Sequence, residues 1–154
     1  MTERQLQRAV AQYFAAVLDP AKVLYLHCPN EGKRGKFAQA DFKLGGGLAG
    51  VADWLLCWST PWRAEYKALQ ADYPNANKQV AWIELKSAAG KLSGAQEAFA
   101  GRVCSLGHYC IVCRDLEAVE DALRVWGCPM RPHKLFGTGA VKLLESAPRE
   151  LVRE

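Results

Sequence analysis

The fold is decided by residues 80–113, which read VAWIELKSAAGKLSGAQEAFAGRVCSLGHYCIVC. Two apolar runs, residues 80–86 and 109–113, have the length of buried strands, and the stretch between them begins at Ser93 and ends at Gly107. Serine is a favoured helix N-cap and glycine commonly follows a helix, so this stretch is predicted to be a helix. The order strand, helix, strand predicts a right-handed crossover unit with two parallel strands.

Helices and strands are also predicted on both sides of this unit. Thr2 and Gln5 have the spacing of a capping box, and Asp115 is a second favoured N-cap. The predicted elements are helices over residues 3–18, 37–44, 93–106 and 115–127 and strands over residues 23–27, 51–58, 80–86 and 109–113. This alternation predicts an α/β or α+β fold in which a central mixed sheet is flanked by helices.

Length and composition favour one globular domain. The 154 residues are 50% hydrophobic and 23% charged, which argues against wholesale disorder. No apolar run reaches the roughly 20 residues that span a bilayer, and the N-terminus shows no secretory leader. We therefore expect no membrane partner and a cytoplasmic rather than secreted protein. Residues 1–128 are predicted to form the domain, and residues 129–154 a C-terminal extension.

The cysteines and the net charge exclude little. The six cysteines are expected to be reduced in an intracellular protein. Cys110 and Cys113 have the spacing of half a zinc site, but a strand directs positions three apart to opposite faces, which disfavours zinc. A net charge of +4 permits a polyanionic partner.

Two apolar runs contain charges where a buried strand is expected to have none. Asp53 lies in one run, and Glu84 and Lys86 lie two positions apart in another, on the same side of the strand. If Asp53 converges with Glu84, the two carboxylates repel each other unless a cation lies between them, and Mg²⁺ prefers such oxygen ligands. Lys86 would then orient or deprotonate a water. The alternative is a buried salt bridge without chemistry.

Together with Gln96, these residues resemble the core of PD-(D/E)XK nucleases, and more narrowly the VRR-NUC family. The resemblance covers residues 3–127 and departs at Ala52, where the family has proline, and in the long polar insertion 59–79. The matching pieces are Glu3 and Gln7, Asn30-Glu31-Gly32, Gly46-Gly47-Leu48-Ala49-Gly50-Val51-Ala52-Asp53, Glu84-Leu85-Lys86, Gly90-Lys91-Leu92-Ser93-Gly94-Ala95-Gln96 and Gly107.

The resemblance implies a restriction-endonuclease-like fold and a Mg²⁺- or Mn²⁺-dependent nuclease that hydrolyses phosphodiester bonds in DNA. Asp53, Glu84 and the carbonyl of Leu85 would hold the metal, Lys86 would position the attacking water, and Gln96 would lie at the edge of the site. Family members of this size resemble homodimeric enzymes that resolve Holliday junctions. A catalytically inactive DNA-binding module on the same fold is the first alternative, and an α/β scaffold protein is the second.

Two further carboxylates and a basic segment are candidates for the same site. Glu3 can face inward from the first helix and Glu31 can approach the metal from a loop, although a helix-dipole contact and a solvated loop charge explain them equally well. The residues expected to contact DNA phosphates are Lys33, Arg34, Lys36, Lys43 and Lys91. The alternative for the basic loop is an exposed surface that binds nothing.

Overall fold

A computed structural model describes residues 1–28, 44–61, 67, 71 and 77–132 of the chain. These residues contain the helices α1 (Glu3–Val17), α2 (Gly94–Ser105) and α3 (Leu116–Val125) and the strands β1 (Val23–His27), β2 (Trp54–Ser59), β3 (Lys78–Leu85) and β4 (Tyr109–Cys113). The predicted short helix over residues 37–44 lies outside the described residues, apart from Leu44.

The four strands form one mixed sheet in the order β1-β2-β3-β4. β1 pairs with β2, and β2 with β3, in antiparallel fashion, whereas β3 and β4 are parallel, with Glu84 opposite Val112. The parallel pair is joined through α2, which confirms the predicted strand–helix–strand unit. The protein is therefore a mixed α/β protein with a four-stranded sheet and three helices among the described residues.

Three predicted helix starts are confirmed by their caps. The side chain of Thr2 accepts a hydrogen bond from the backbone N–H of Gln5, and the Ser93 side chain accepts one from Gln96. Asp115 accepts from the N–H of Ala118 at 2.8 Å. These side chains satisfy N–H groups that the first turn of a helix leaves without a backbone partner.

β2 and β3 differ from the sequence prediction at both ends. β2 runs one residue further, to Ser59, and β3 begins two residues earlier, at Lys78. The other two corrections concern charged residues of interest. β2 begins at Trp54 rather than residue 51, so Asp53 precedes the strand, and β3 ends at Leu85, so Lys86 follows it. The predicted strands were too long at these ends because an apolar run does not mark where hydrogen-bonded pairing stops. The charges therefore lie where the central strands β2 and β3 begin and end, and side chains from several elements can meet there.

The core lies on one face of the sheet, beneath α1 and α3. Phe14 of α1 packs edge-on against Trp54 of β2, with ring centroids 5.0 Å apart, and Leu123 of α3 is fully buried in the same cluster. On the opposite face, Phe99 of α2 meets Trp82 of β3, also with centroids 5.0 Å apart. β3 is therefore covered on both faces, which explains its long apolar run.

The chain beyond α3 returns to the end of α1. The backbone N–H of Arg131 donates to the carbonyl of Val17 at 2.7 Å, and Met130 forms an isolated bridge with Leu18. The first described residues after 128 thus pack on the domain. Within the described part of the chain, none of the helices combines the length and the apolar character that crossing a membrane requires.

Candidate active site

Buried charges meet at one edge of the sheet. β2 is antiparallel to β3, so the residue before β2 lies beside the end of β3, where Glu84 and Lys86 are placed. Asp53, Glu84 and Lys86 are only 5%, 4% and 7% exposed. Burying a charge without a partner is costly, so the contacts among these groups decide whether the site is stable.

Lys86 lies between two carboxylates. Its Nζ is 2.6 Å from Oε1 of Glu84 and 3.6 Å from Oε1 of Glu3, which reaches the site from the first turn of α1. Glu84 and Lys86 were predicted to point to the same side of the strand, and their ion pair confirms this. Glu3 was interpreted either as an inward-facing site residue or as a contact with the helix dipole. In the structure it faces inward and contacts Lys86.

The environment keeps Lys86 positively charged. Burial acts to lower the pKa of its ammonium, but the hydrogen bond to Glu84 and the charges of Glu84, Glu3 and Asp53 outweigh burial and raise that pKa above its ordinary value. A protonated amine donates hydrogen bonds and does not accept a proton. The geometry therefore favours Lys86 as a group that orients and neutralises, rather than as the base that deprotonates a water.

Asp53 is fixed by the backbone of β3. Its Oδ2 accepts a hydrogen bond from the N–H of Leu85 at 2.7 Å, in a fully buried contact. The backbone N–H of Cys28 donates to the carbonyl of Asp53 at 2.7 Å and holds the residue from the other side. The carboxylate of Asp53 is thus held near that of Glu84, which confirms that the two acidic residues converge.

Gln96 connects α2 to this cluster. Its Oε1 accepts a hydrogen bond from the N–H of Ser93 at 2.9 Å as part of the capping box, and its Nε2 donates to Oε1 of Glu84. The orientation of the amide is determined by the cap, because the N–H of Ser93 requires an acceptor. Gln96 was expected at the edge of the site, and it contacts the central carboxylate.

A glycine sets the distance between α2 and the loop that leads to Asp53. Gly50 has a φ of +77°, and a Cβ built on it lies 2.3 Å from the backbone carbonyl of Ala95 and 2.6 Å from the backbone nitrogen of Gln96. Side chains do not fit at such distances, so only glycine allows this close approach. The sequence showed this glycine as part of a motif but did not show what it contacts.

Arg114 was missed by the sequence analysis. It follows β4 directly, and its Nη1 donates to the carbonyls of Ser87, Gly90 and Ala88 at 2.6, 2.8 and 3.3 Å. These carbonyls belong to the turn that links Lys86 to α2. The contact depends on the parallel pairing of β3 with β4, and an isolated arginine after a strand gives no sequence signal for it.

Three carboxylates act on the one ammonium of Lys86 in this cluster. Burial raises the pKa of Glu84 to about 7, and the charges of Asp53 and Glu3 act in the same direction, against the hydrogen bond and the charge of Lys86. Glu3 contacts this cluster through Lys86, whose Nζ is 3.6 Å from its Oε1. Among the described residues, no group of three or more histidine, cysteine, aspartate or glutamate side chains is placed to hold a metal ion together.

The other predicted site residues are less informative. Lys91 is exposed and follows the turn that ends at Gly90. The other predicted metal and DNA ligands lie outside the described residues. They are Glu31, Lys33, Arg34, Lys36 and Lys43. Burial raises the pKa of the Cys110 and Cys113 thiols to about 12, so both thiols are neutral in the metal-free protein.

Comparison with protein-family models, with curated proteins and with solved structures found no match to this chain. The interpretation of the site therefore rests on its geometry and on the chemistry of its residues.

Proposed function

We propose that the protein is a metal-dependent, structure-selective DNA endonuclease with a restriction-endonuclease-like core of the VRR-NUC type. The observation that carries this proposal is the convergence of Asp53, Glu84, Lys86 and Gln96 at one sheet edge. In the sequence these residues are separated by up to 43 positions (96 minus 53). Their proximity supports the site that the resemblance to PD-(D/E)XK nucleases implies.

The residues present fit a hard divalent cation. Asp53, Glu84 and the carbonyl of Leu85 offer oxygen donors of the kind that Mg²⁺ and Mn²⁺ bind. Three carboxylates, those of Asp53, Glu84 and Glu3, act on the ammonium of Lys86. A divalent cation held by Asp53 and Glu84 would balance the remaining negative charge, and Glu3 would then balance Lys86.

A bound cation supplies Lewis-acid stabilisation of the phosphate and a more acidic water. The protein's own residues do the rest. Lys86, held as an ammonium by Glu84 and Glu3, donates hydrogen bonds to a water or to a phosphate oxygen and offsets the negative charge that develops there. Gln96 and the N–H of Leu85 hold the two carboxylates in place, so little reorganisation is needed during the reaction.

The substrate and the assembly follow from the resemblance. The basic residues that follow β1 in the sequence, together with Lys91, contact the phosphates of DNA, which gives affinity without sequence readout. A homodimer places two sites against two strands, as paired incision of a Holliday junction requires. The alternative is a DNA-binding module that does not cut, and the observation that favours it is the direct ion pair between Lys86 and Glu84, with 2.6 Å between Nζ and Oε1.

The test is a cleavage assay on labelled four-way junction, flap, single-stranded and duplex DNA, with Mg²⁺, Mn²⁺ or EDTA, accompanied by gel filtration. We expect cleavage of branched DNA that either metal supports and EDTA abolishes, and a dimeric mass. Cleavage that persists in EDTA contradicts the metal mechanism. Binding without cleavage under every metal supports the DNA-binding alternative, and neither binding nor cleavage supports the scaffold.

Substitutions at the buried cluster sharpen this test. We expect Asp53→Asn and Lys86→Met to lower the cleavage rate by several orders of magnitude and to leave junction binding largely intact. The matched control is the exposed pair Asp19–Lys22, whose charged atoms lie 3.7 Å apart, with Asp19→Asn and Lys22→Met leaving both properties unchanged. Breaking a buried ion pair costs about 3–5 kcal/mol, so thermal unfolding must show that the Lys86 variant is folded. A folded Lys86→Met protein that cuts at the native rate removes the role assigned to the lysine.

A further inference from the structure

The turn after Lys86 is organised by a residue from a different strand. Nη1 of Arg114 donates to the carbonyls of Ser87 and Gly90 at 2.6 and 2.8 Å, with Ala88 at 3.3 Å. The N–H of Gly90 also donates to the carbonyl of Ser87 at 3.0 Å, which closes the turn. Three carbonyl dipoles thus point at one cationic nitrogen, and without it they repel one another.

This turn is the short connection between two parts of the candidate site. It begins directly after Lys86, whose N–H donates to the carbonyl of Cys113 at 3.0 Å, and it leads to Ser93, the N-cap of α2. Lys86 and Gln96 both contact Oε1 of Glu84, so the shape of the turn sets the relative position of the two donors. A change of about 1 Å in such a position is enough to lower a catalytic rate about 100-fold.

We propose that Arg114 is a positioning residue of the site, which clamps the 87–90 turn and so holds Lys86 and Gln96 together on Glu84. All three bonds come from Nη1 of the guanidinium, which stays charged at any pH at which the protein is folded. Arg114 is itself exposed. Its three bonds to the turn all go to backbone carbonyls, so they do not depend on the identity of the turn side chains. The catalytic part of the inference rests on the proposed nuclease function.

The first experiment measures kcat and KM for Mg²⁺-dependent junction cleavage. We expect Arg114→Met to lower kcat about 10–100-fold with KM unchanged, because supporting contacts around a metal site typically contribute that much. Arg114→Lys is expected to retain an intermediate rate. The matched control is Arg102→Met, an exposed arginine near the far end of α2, which is expected to cut at the native rate.

Chemical rescue separates positioning from general stability. Millimolar methylguanidinium is expected to restore kcat of Arg114→Ala, and the same concentration of tetramethylammonium is not. A lower melting temperature with native kcat, or an Arg114→Ala rate that methylguanidinium leaves unchanged, overturns the proposal.

A readout without catalysis keeps the two proposals distinguishable. The NMR signals of the Gln96 side-chain amide and of the Gly90 backbone amide are expected to shift in Arg114→Ala and to return when methylguanidinium is added. If wild-type protein does not cut DNA while these signals behave as expected, the nuclease function fails and the positioning role stands. If the Gln96 signal is the same in wild type and Arg114→Ala, Arg114 does not position the site.

Discussion

Two helices of this protein begin with the same motif, and only one of them takes part in the candidate site. Thr2 with Gln5 caps α1, and Ser93 with Gln96 caps α2, with reciprocal hydrogen bonds of closely similar length. In both, the glutamine Oε1 accepts from the N-cap backbone. The Nε2 of Gln96 in addition donates to Glu84, and Gln5 is exposed.

The comparison shows that local sequence determines the cap and tertiary packing determines its use. The capping box leaves the amide nitrogen of the glutamine available in either helix. α2 is placed over β3 by the contact between Trp82 and Phe99 and by the close approach of Gly50 to Ala95, and these contacts bring Gln96 to a buried carboxylate. The first turn of α1 instead directs Glu3 to the site.

The largest expected effect comes from removing the close approach that distinguishes α2. Gly50→Ala places a methyl group 2.3 Å from the Ala95 carbonyl, so either the loop or the helix has to move. We expect a loss of about 2–5 kcal/mol in the free energy of unfolding, from overpacking and from positive-φ strain together, and a loss of cleavage. Urea denaturation and the junction assay measure both.

Gly46 provides the matched control for this variant. Its φ of +82° resembles that of Gly50, but a Cβ there has no heavy atom within 4 Å among the described residues. Gly46→Ala therefore keeps the positive-φ strain, about 1–2 kcal/mol, and lacks the collision. Equal losses of stability in the two variants would show that Gly50 does not hold α2 in place.

Paired glutamine substitutions test the comparison directly. Gln5→Ala and Gln96→Ala each remove the glutamine half of a capping box, which costs on the order of 1 kcal/mol. Gln96→Ala also removes a hydrogen bond to a buried carboxylate, so we expect its loss of stability to be larger by about 1.5–3 kcal/mol. Only Gln96→Ala removes a donor from Glu84, and we expect it to reduce cleavage about 10–100-fold while Gln5→Ala cuts at the native rate. Equal cleavage rates in the two variants would mean that the Gln96–Glu84 bond is not used.

The last expected effect is a pH dependence of stability in metal-free protein, which bears on Glu84 alone. Burial raises the pKa of Glu84 from 4.5 to about 7, so between these values the folded protein holds a proton that the unfolded chain releases. The contribution of Glu84 to stability is therefore fully present below pH 4.5 and is lost as the pH rises towards 7. Melting temperatures across this range are expected to fall less steeply in Glu84→Gln. Identical slopes in the two proteins contradict the raised pKa.

The helices and strands, which depend on local sequence, were predicted well. The contacts between them were predicted only in part. The caps at Ser93 and Asp115 and the parallel pairing across α2 follow from residue type and spacing, and all are confirmed. The convergence of Asp53 with Glu84 was predictable because an unpaired charge is unfavourable in an apolar run. The clamp by Arg114 was not, because it depends on which strand ends lie side by side and on backbone carbonyls, which any residue supplies.

The contact between Trp82 and Phe99 gives the protein an optical label of its own. Trp82 lies two positions before Glu84 and is half-buried beneath α2, whereas Trp54, Trp58 and Trp126 belong to the opposite core. The difference between the fluorescence spectra of wild type and Trp82→Phe is therefore the emission of Trp82, which depends on how α2 packs on the sheet. Detachment of this helix exposes the indole to water and shifts its emission to longer wavelength, so the packing that places Gln96 can be followed in solution without an attached dye.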